Sequence, residues 1–143
     1  MRAPARLSGR RRAALAAVRA AIGTPFRPQG RVAGLGLDCV GVVLLALAGA
    51  GVPLPATPAY ALGGEHAALV DATCQTIGLR PRRGLRWAKP GDLILFQLGS
   101  GNRHMAVLSD GGIIHAHAGL RRVVEGPLPP DWPVVAVLAL PVR

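Results

Sequence analysis

The stretch "GLDCVGVVLLALAGAGVP", residues 36–53, sets an acid and a thiol at the mouth of an apolar run. Asp38 is a natural N-cap, because its carboxylate can accept from the free N–H groups of a first helical turn. A helix from about Cys39 to Ala50 follows, apolar nearly all round, and such a helix is a buried central one. Two readings of Cys39 stand open. A cysteine among Ala, Val and Leu is most simply a small buried hydrophobe. One in the first turn of a helix also sits where unsatisfied N–H groups and the helix dipole favour a negative charge, as a reactive thiolate requires.

The chain has 143 residues, half of them hydrophobic, which suits a folded domain and excludes a disordered one. Residues 1–9 read as a loose basic lead and residues 10–143 as a single domain. Aromatics are only 3%, so the core must be Ala, Val, Leu and Ile. The net charge of +10 is carried almost wholly by arginine, Lys89 being the one lysine. Such a balance suits any polyanion and names none. Cys39 and Cys74 make neither a disulfide framework nor a zinc motif. Arg19 interrupts the alanine-rich N-terminal run, and Val40–Val52 is too short to cross a bilayer. The expectation is a chain made in the cytoplasm without a signal peptide or a transmembrane segment.

Upstream of the opening stretch, Leu15, Val18 and Ile22 recur at helical spacing over Arg10–Ile22. Residues 23–37 are Gly- and Pro-rich loop. Downstream, Glu65–Ile77 reads as a third helix, with Leu69, Thr73 and Ile77 on one stripe, Cys74 in the core and His66 at the surface. A basic linker, residues 78–92, leads to short β-prone runs: "DLILFQL", "HMAVLSD", "GIIHAHA", "RRVVEG" and "VVAVLAL". Helices before strands imply an α+β fold with an antiparallel sheet.

Three polar groups fall at telling places in that layout. Cys39 opens the buried helix, His104 begins one strand, and His115 nearly ends the next. If the turn Ser109–Gly112 makes a hairpin, the two histidines sit on adjacent antiparallel strands. A helix N-terminus packed against that face would bring the thiol to the first imidazole. A thiol nucleophile needs such a base, and the base needs a third group to orient it. The pattern therefore points to Cys39 as nucleophile, His104 as general base and acid, and His115 as orienter. The plain alternatives are a core cysteine, exposed strand-end histidines and Asp38 as a cap alone.

His117 shares a strand face with His115 and is a second candidate for the third residue. The three histidines lack a carboxylate or thiol at ligand spacing, so no metal or other cofactor is expected. Asp92 reads as a turn or strand-start residue. The arginines at 10–12 and at 80, 82, 83 and 86 read as a solvated face, suited to wall or partner docking. Stacking aromatics are too few for nucleic-acid recognition.

The segments "GTPFRPQGRVAGLGLDCVG", "KPGDLILF" and "HMAVLSDGGIIHA" span residues 23–116. In order and spacing they resemble the NlpC family of papain-like cell-wall cysteine peptidases. The resemblance implies a small α+β papain-like domain whose nucleophile helix packs on an antiparallel sheet. By position it gives Cys39 as nucleophile, His104 as base and His115 as third residue. It implies hydrolysis of an amide in peptidoglycan stem peptides, commonly between D-glutamate and a diamino acid, through a thioester acyl-enzyme. The form D-C-V-G is similar to phage and gene-transfer-agent members. That suggests phage-like tail proteins as partners beside peptidoglycan, with action at the cell wall or within a phage-like particle.

Two positions depart from the pattern. Phe26 stands where the family often has a tyrosine, and Val40 follows the nucleophile in place of a frequent serine. With Asp38 they outline the expected substrate and oxyanion region. Phe26 cannot donate, so an oxyanion must rely on backbone N–H groups, that of Cys39 included. A non-catalytic wall-binding or tail module on the same fold is the alternative. Transfer to another amine is a third reading.

Overall fold

The computed structural model describes residues 8–54, 75, 77–99 and 102–141. Two helices come first, α1 (Gly9–Ala20) and α2 (Cys39–Gly49). The Ser8 hydroxyl accepts from Arg11 N–H at 3.2 Å, and this cap starts α1 one residue earlier than the apolar spacing implies. The expected loop 23–37 holds a small antiparallel ladder, β1 (Arg31–Val32) on β2 (Gly36–Leu37). Two-residue strands carry no periodicity to read. The third helix expected over Glu65–Ile77, with His66 and Cys74, lies almost wholly outside the described residues.

The second half forms β4 (Leu93–Gln97), β5 (Arg103–Ser109), β6 (Gly112–His117), β7 (Arg122–Gly126) and β8 (Val134–Ala139). A short edge strand, β3 (Arg80–Pro81), and a 3-10 turn, Leu85–Trp87, correct the reading of residues 78–92 as a plain linker. The sheet order is β3-β8-β4-β5-β6-β7, and every pairing is antiparallel. The α+β expectation holds: two N-terminal helices pack on a six-stranded antiparallel sheet.

Strand alternation divides the sheet into two faces. Leu93, Leu95, Met105, Val107, Ile114 and Ala116 face the helices, where Val42, Val43, Ala46 and Leu47 of α2 are 0–1% exposed. Fully burying each such Val or Leu contributes about 1.5–3 kcal/mol, and this face anchors α2. Gly49 lets α1 approach closely; a Cβ there would meet the Ala17 Cβ at 2.7 Å and Ala13 O at 2.9 Å. On the other face Ile94, Phe96, Ala106 and Ile113 lie under Leu108, Leu128 and Trp132.

One buried charge ties the two halves together. Asp92 is fully buried and accepts from Arg11 at 2.9 Å, Arg82 Nε at 2.5 Å, Leu140 N–H at 2.9 Å and Lys89 N–H at 2.8 Å. Burial pushes its pKa up, but hydrogen bonds from Arg82, Leu140, Arg11 and Lys89 together bring it below the usual carboxylate value. The reading of Asp92 as a turn residue is thus incomplete. Two of the arginines read as solvated, Arg11 and Arg82, are its counterions.

Candidate active site

The approach to α2 is rigid for electrostatic reasons. The Asp38 carboxylate is 2% exposed and accepts at 2.8 Å from Gly41 N–H, Gln29 N–H and Arg31. It caps α2 and clamps the chain before β1, where Gln29 is held at φ 60°. Gly41 is required by that clamp. A Cβ at this position would sit 2.3 Å from Gly30 O, so the glycine of D-C-V-G marks a close backbone approach.

Cys39 is the first residue of α2 and only 5% exposed. Its sulfur is hydrogen-bonded by the backbone N–H groups of Met105 and Val40. The Met105 contact locates the thiol in the sheet. Leu108 exchanges backbone bonds with Gly91 and Asp92 at the head of β4. Met105, an odd number of residues earlier, therefore points its N–H toward β6. There β6 is absent as a partner, since the β5–β6 pairing runs only from Ser109↔Gly112 to Val107↔Ile114. The Met105 N–H bonds the Cys39 sulfur instead, and α2 packs against both β5 and β6. His104 is the residue next to Met105.

The two histidines meet as the sequence implies. His104 Nε2 and His115 Nδ1 are 2.8 Å apart. They lie on the sheet face turned away from the helices, with Phe96 stacked on His104 at 6.3 Å. This corrects the expectation that the helix packs on the histidine face; α2 packs on the opposite face, with Leu95, Met105 and Val107. His115 is 4% exposed, and burial, with a smaller contribution from His117, lowers its pKa to about 4. It is neutral at pH 7. With His115 Nδ1 accepting, the contact fixes a His104 tautomer that carries its proton on Nε2.

Burial sets the thiol as well. Desolvation, then the Asp38 charge, raise the Cys39 pKa to about 12 against the N–H groups of Met105 and Val40 and the charge of Arg31. Burial thus favours the protonated thiol of Cys39 over the thiolate.

Trp132 was not singled out by the sequence. Its ring stands edge-on to both imidazoles, 5.5 Å from His104 and 5.6 Å from His115, and 5.3 Å from Phe96. It covers the pair on the side away from α2. Trp132→Ala should admit water to His115 and raise its pKa from about 4 toward the ordinary 6.5, while Trp132→Phe should hold it low. An NMR titration of the His115 ring checks this. Because the folded pKa lies below the unfolded one, the wild-type fold weakens as pH falls from 6.5 through about 4, and the alanine variant loses that slope.

Phe26 bridges to Leu37, donates its N–H to Arg121 O at 2.9 Å and packs its ring against the core. The Val40 side chain is buried in the core, and only its N–H reaches the sulfur. His117 lies 5.4 Å from His115, and its Nδ1 accepts from Leu120 N–H at 3.0 Å. Among the described residues no cluster of His, Cys, Asp or Glu could hold a metal ion.

The sequence profile of the NlpC/P60 family matches residues 23–128. No curated protein matches the chain. Among solved structures, NlpC2 from Trichomonas vaginalis is similar with a TM-score of 0.71 at 18% identity, over 94% of this chain and 49% of that one. This chain thus spans about half the length of that relative. The NlpC/p60 domain of the peptidoglycan hydrolase SagA is similar with a TM-score of 0.64 at 22% identity, over 90% of this chain and 97% of that one. RipD from Mycobacterium tuberculosis, a non-catalytic NlpC/p60 domain protein adapted to peptidoglycan binding, gives 0.62 at 18%, over 93% and 98%. At these identities the likeness is one of fold.

Proposed function

This chain belongs to the NlpC/P60 family, and from that premise we propose that it is a cysteine peptidase hydrolysing an amide of peptidoglycan stem peptides. The observation that carries the reading is the His104–His115 contact of 2.8 Å, next in sequence to Met105, whose N–H bonds the Cys39 thiol. His104 Nδ1 takes the thiol proton as sulfur attacks the carbonyl carbon. His104 then gives that proton to the leaving amine as the C–N bond breaks, and a thioester remains on Cys39. Water attacks the thioester with His104 again as base, releasing the carboxylate and restoring the thiol. His115 stays neutral and accepts from His104 Nε2–H in both its charged and uncharged forms. The Cys39 N–H is the donor for the oxyanion, since Gly41 N–H is committed to Asp38 and Phe26 has no hydroxyl.

The bond between D-glutamate and a diamino acid is the scissile amide the family resemblance favours. The D-C-V-G form extends the proposal to a phage-like tail tip that carries the chain to the wall. A non-catalytic wall-binding module is the competing reading, and the 5% exposure of a thiol with a pKa near 12 favours it. Purified peptidoglycan of the diamino-acid type, incubated with wild type and with Cys39→Ala, separates the two. The peptidase releases stem-peptide fragments that mass spectrometry sees with wild type alone. Binding of both proteins to intact wall, with no fragments from either, would establish the module.

A further inference from the structure

At the far end of α2 from Cys39, on the order of 16 Å along the helix, a cavity of about 720 Å³ opens between the start of α1, the residues after α2 and the β3 edge. Arg10, Arg80 and Lys89 line it beside the Asp92-bound Arg11 and Arg82. A second hollow of about 410 Å³ shares Arg80 and Arg82 and continues to Arg83 and Trp87. The two hollows make one basic track along β3. Among the described residues the ion-paired acids are committed elsewhere: Asp38 to Arg31, Asp92 to Arg11 and Arg82, and Asp110 and Glu125 to Arg19. None pairs with Arg10, Arg80, Arg83 or Lys89. Asp92 also holds the Arg82 head in place, so part of the track is preorganised.

We propose that this track binds a linear wall glycan bearing phosphodiesters, at a site separate from the catalytic one. Guanidinium groups suit phosphate oxygens through paired N–H donors. Trp87 is 50% exposed at the end of the track, with the Arg86 guanidinium 5.3 Å from its ring. One ring with one face engaged offers a single stacking position. That fits a sugar between phosphates, whereas single-stranded nucleic acid is held by successive bases on several aromatics. The choice of a wall polymer rests on the peptidase reading above.

The test uses Cys39→Ala, so that the wall stays intact, pelleted with sacculi that keep their phosphodiester polymer and with sacculi stripped of it by hydrofluoric acid. Stripping should weaken binding about tenfold or more, and raised salt should weaken binding to unstripped walls, as charge-driven contacts to phosphate require. Adding Arg80→Ala, Arg83→Ala and Lys89→Ala should remove the difference between the two walls without changing the melting temperature. Equal binding to both walls, or an unchanged difference in the triple variant, overturns the proposal. Competition by single-stranded DNA as strong as by the purified glycan overturns the glycan assignment. Digestion of stripped walls by the wild type is scored separately, so failure of the peptidase reading is distinguishable from failure of the track.

Discussion

His104→Gln should lower kcat on peptidoglycan by about 10²–10⁴-fold with little change in KM, the range general acid–base catalysis supplies. The reason is specific to this site. Burial favours the protonated thiol of Cys39, its pKa raised to about 12, so little thiolate exists at neutral pH unless a base removes the proton. Glutamine fills similar space and can still donate to His115, but it cannot take that proton. His115→Asn retains an acceptor for His104 Nε2–H and should lose less activity than His115→Ala. Steady-state kinetics on a soluble stem peptide, with melting temperatures as a folding control, check the series. Equal losses for His115→Asn and His115→Ala would remove the orienting role.

Asp92→Ala is expected to destabilise the fold by about 3–5 kcal/mol, the cost of leaving buried charges unpaired. Arg11, 5% exposed, would lose its carboxylate, and Arg82, Leu140 N–H and Lys89 N–H would lose their acceptor together. Urea denaturation reads the change as a lower midpoint at similar slope. The pH dependence has a fixed sign. The folded carboxyl has its pKa below the ordinary value, so the stability it supplies is present at neutral pH and is lost as pH falls through the folded pKa. Acid unfolding of the wild type should therefore be steeper than that of the variant. A loss no larger than that of a surface aspartate would show that the Arg11–Asp92–Arg82 cluster does not anchor α1 to the sheet.

The parts of the molecule legible in the sequence are those with local signals. Asp38 before an apolar run gives the cap and the central helix. The turn between Ser109 and Gly112 gives the hairpin that brings His104 to His115. The family segments confirm the same layout from residue 23 onward. What stayed hidden depends on long-range pairing. Arg11 and Asp92 are 81 residues apart, and nothing local tells a buried ion pair from a solvated arginine next to a turn aspartate. Trp132 is a lone aromatic in a proline-rich run, and its place over the imidazoles follows from how the residues before β8 cross the sheet. The strand gap is the sharpest case. Alternation along β5 and β6 says that both histidines share a face, but not that their pairing stops at Val107↔Ile114. That stop leaves the Met105 N–H to the Cys39 sulfur.

The central claim is that Cys39 attacks the stem-peptide carbonyl and carries it as a thioester. The measurement that bears on it most directly is digestion of a soluble stem peptide in the presence of hydroxylamine, with products weighed by mass spectrometry. A thioester partitions between water and hydroxylamine, so wild type should yield the glutamyl hydroxamate in proportion to the nucleophile added, and Cys39→Ala should yield none. Cleavage that gives only the carboxylate at every hydroxylamine concentration, or that persists in Cys39→Ala, would contradict the account.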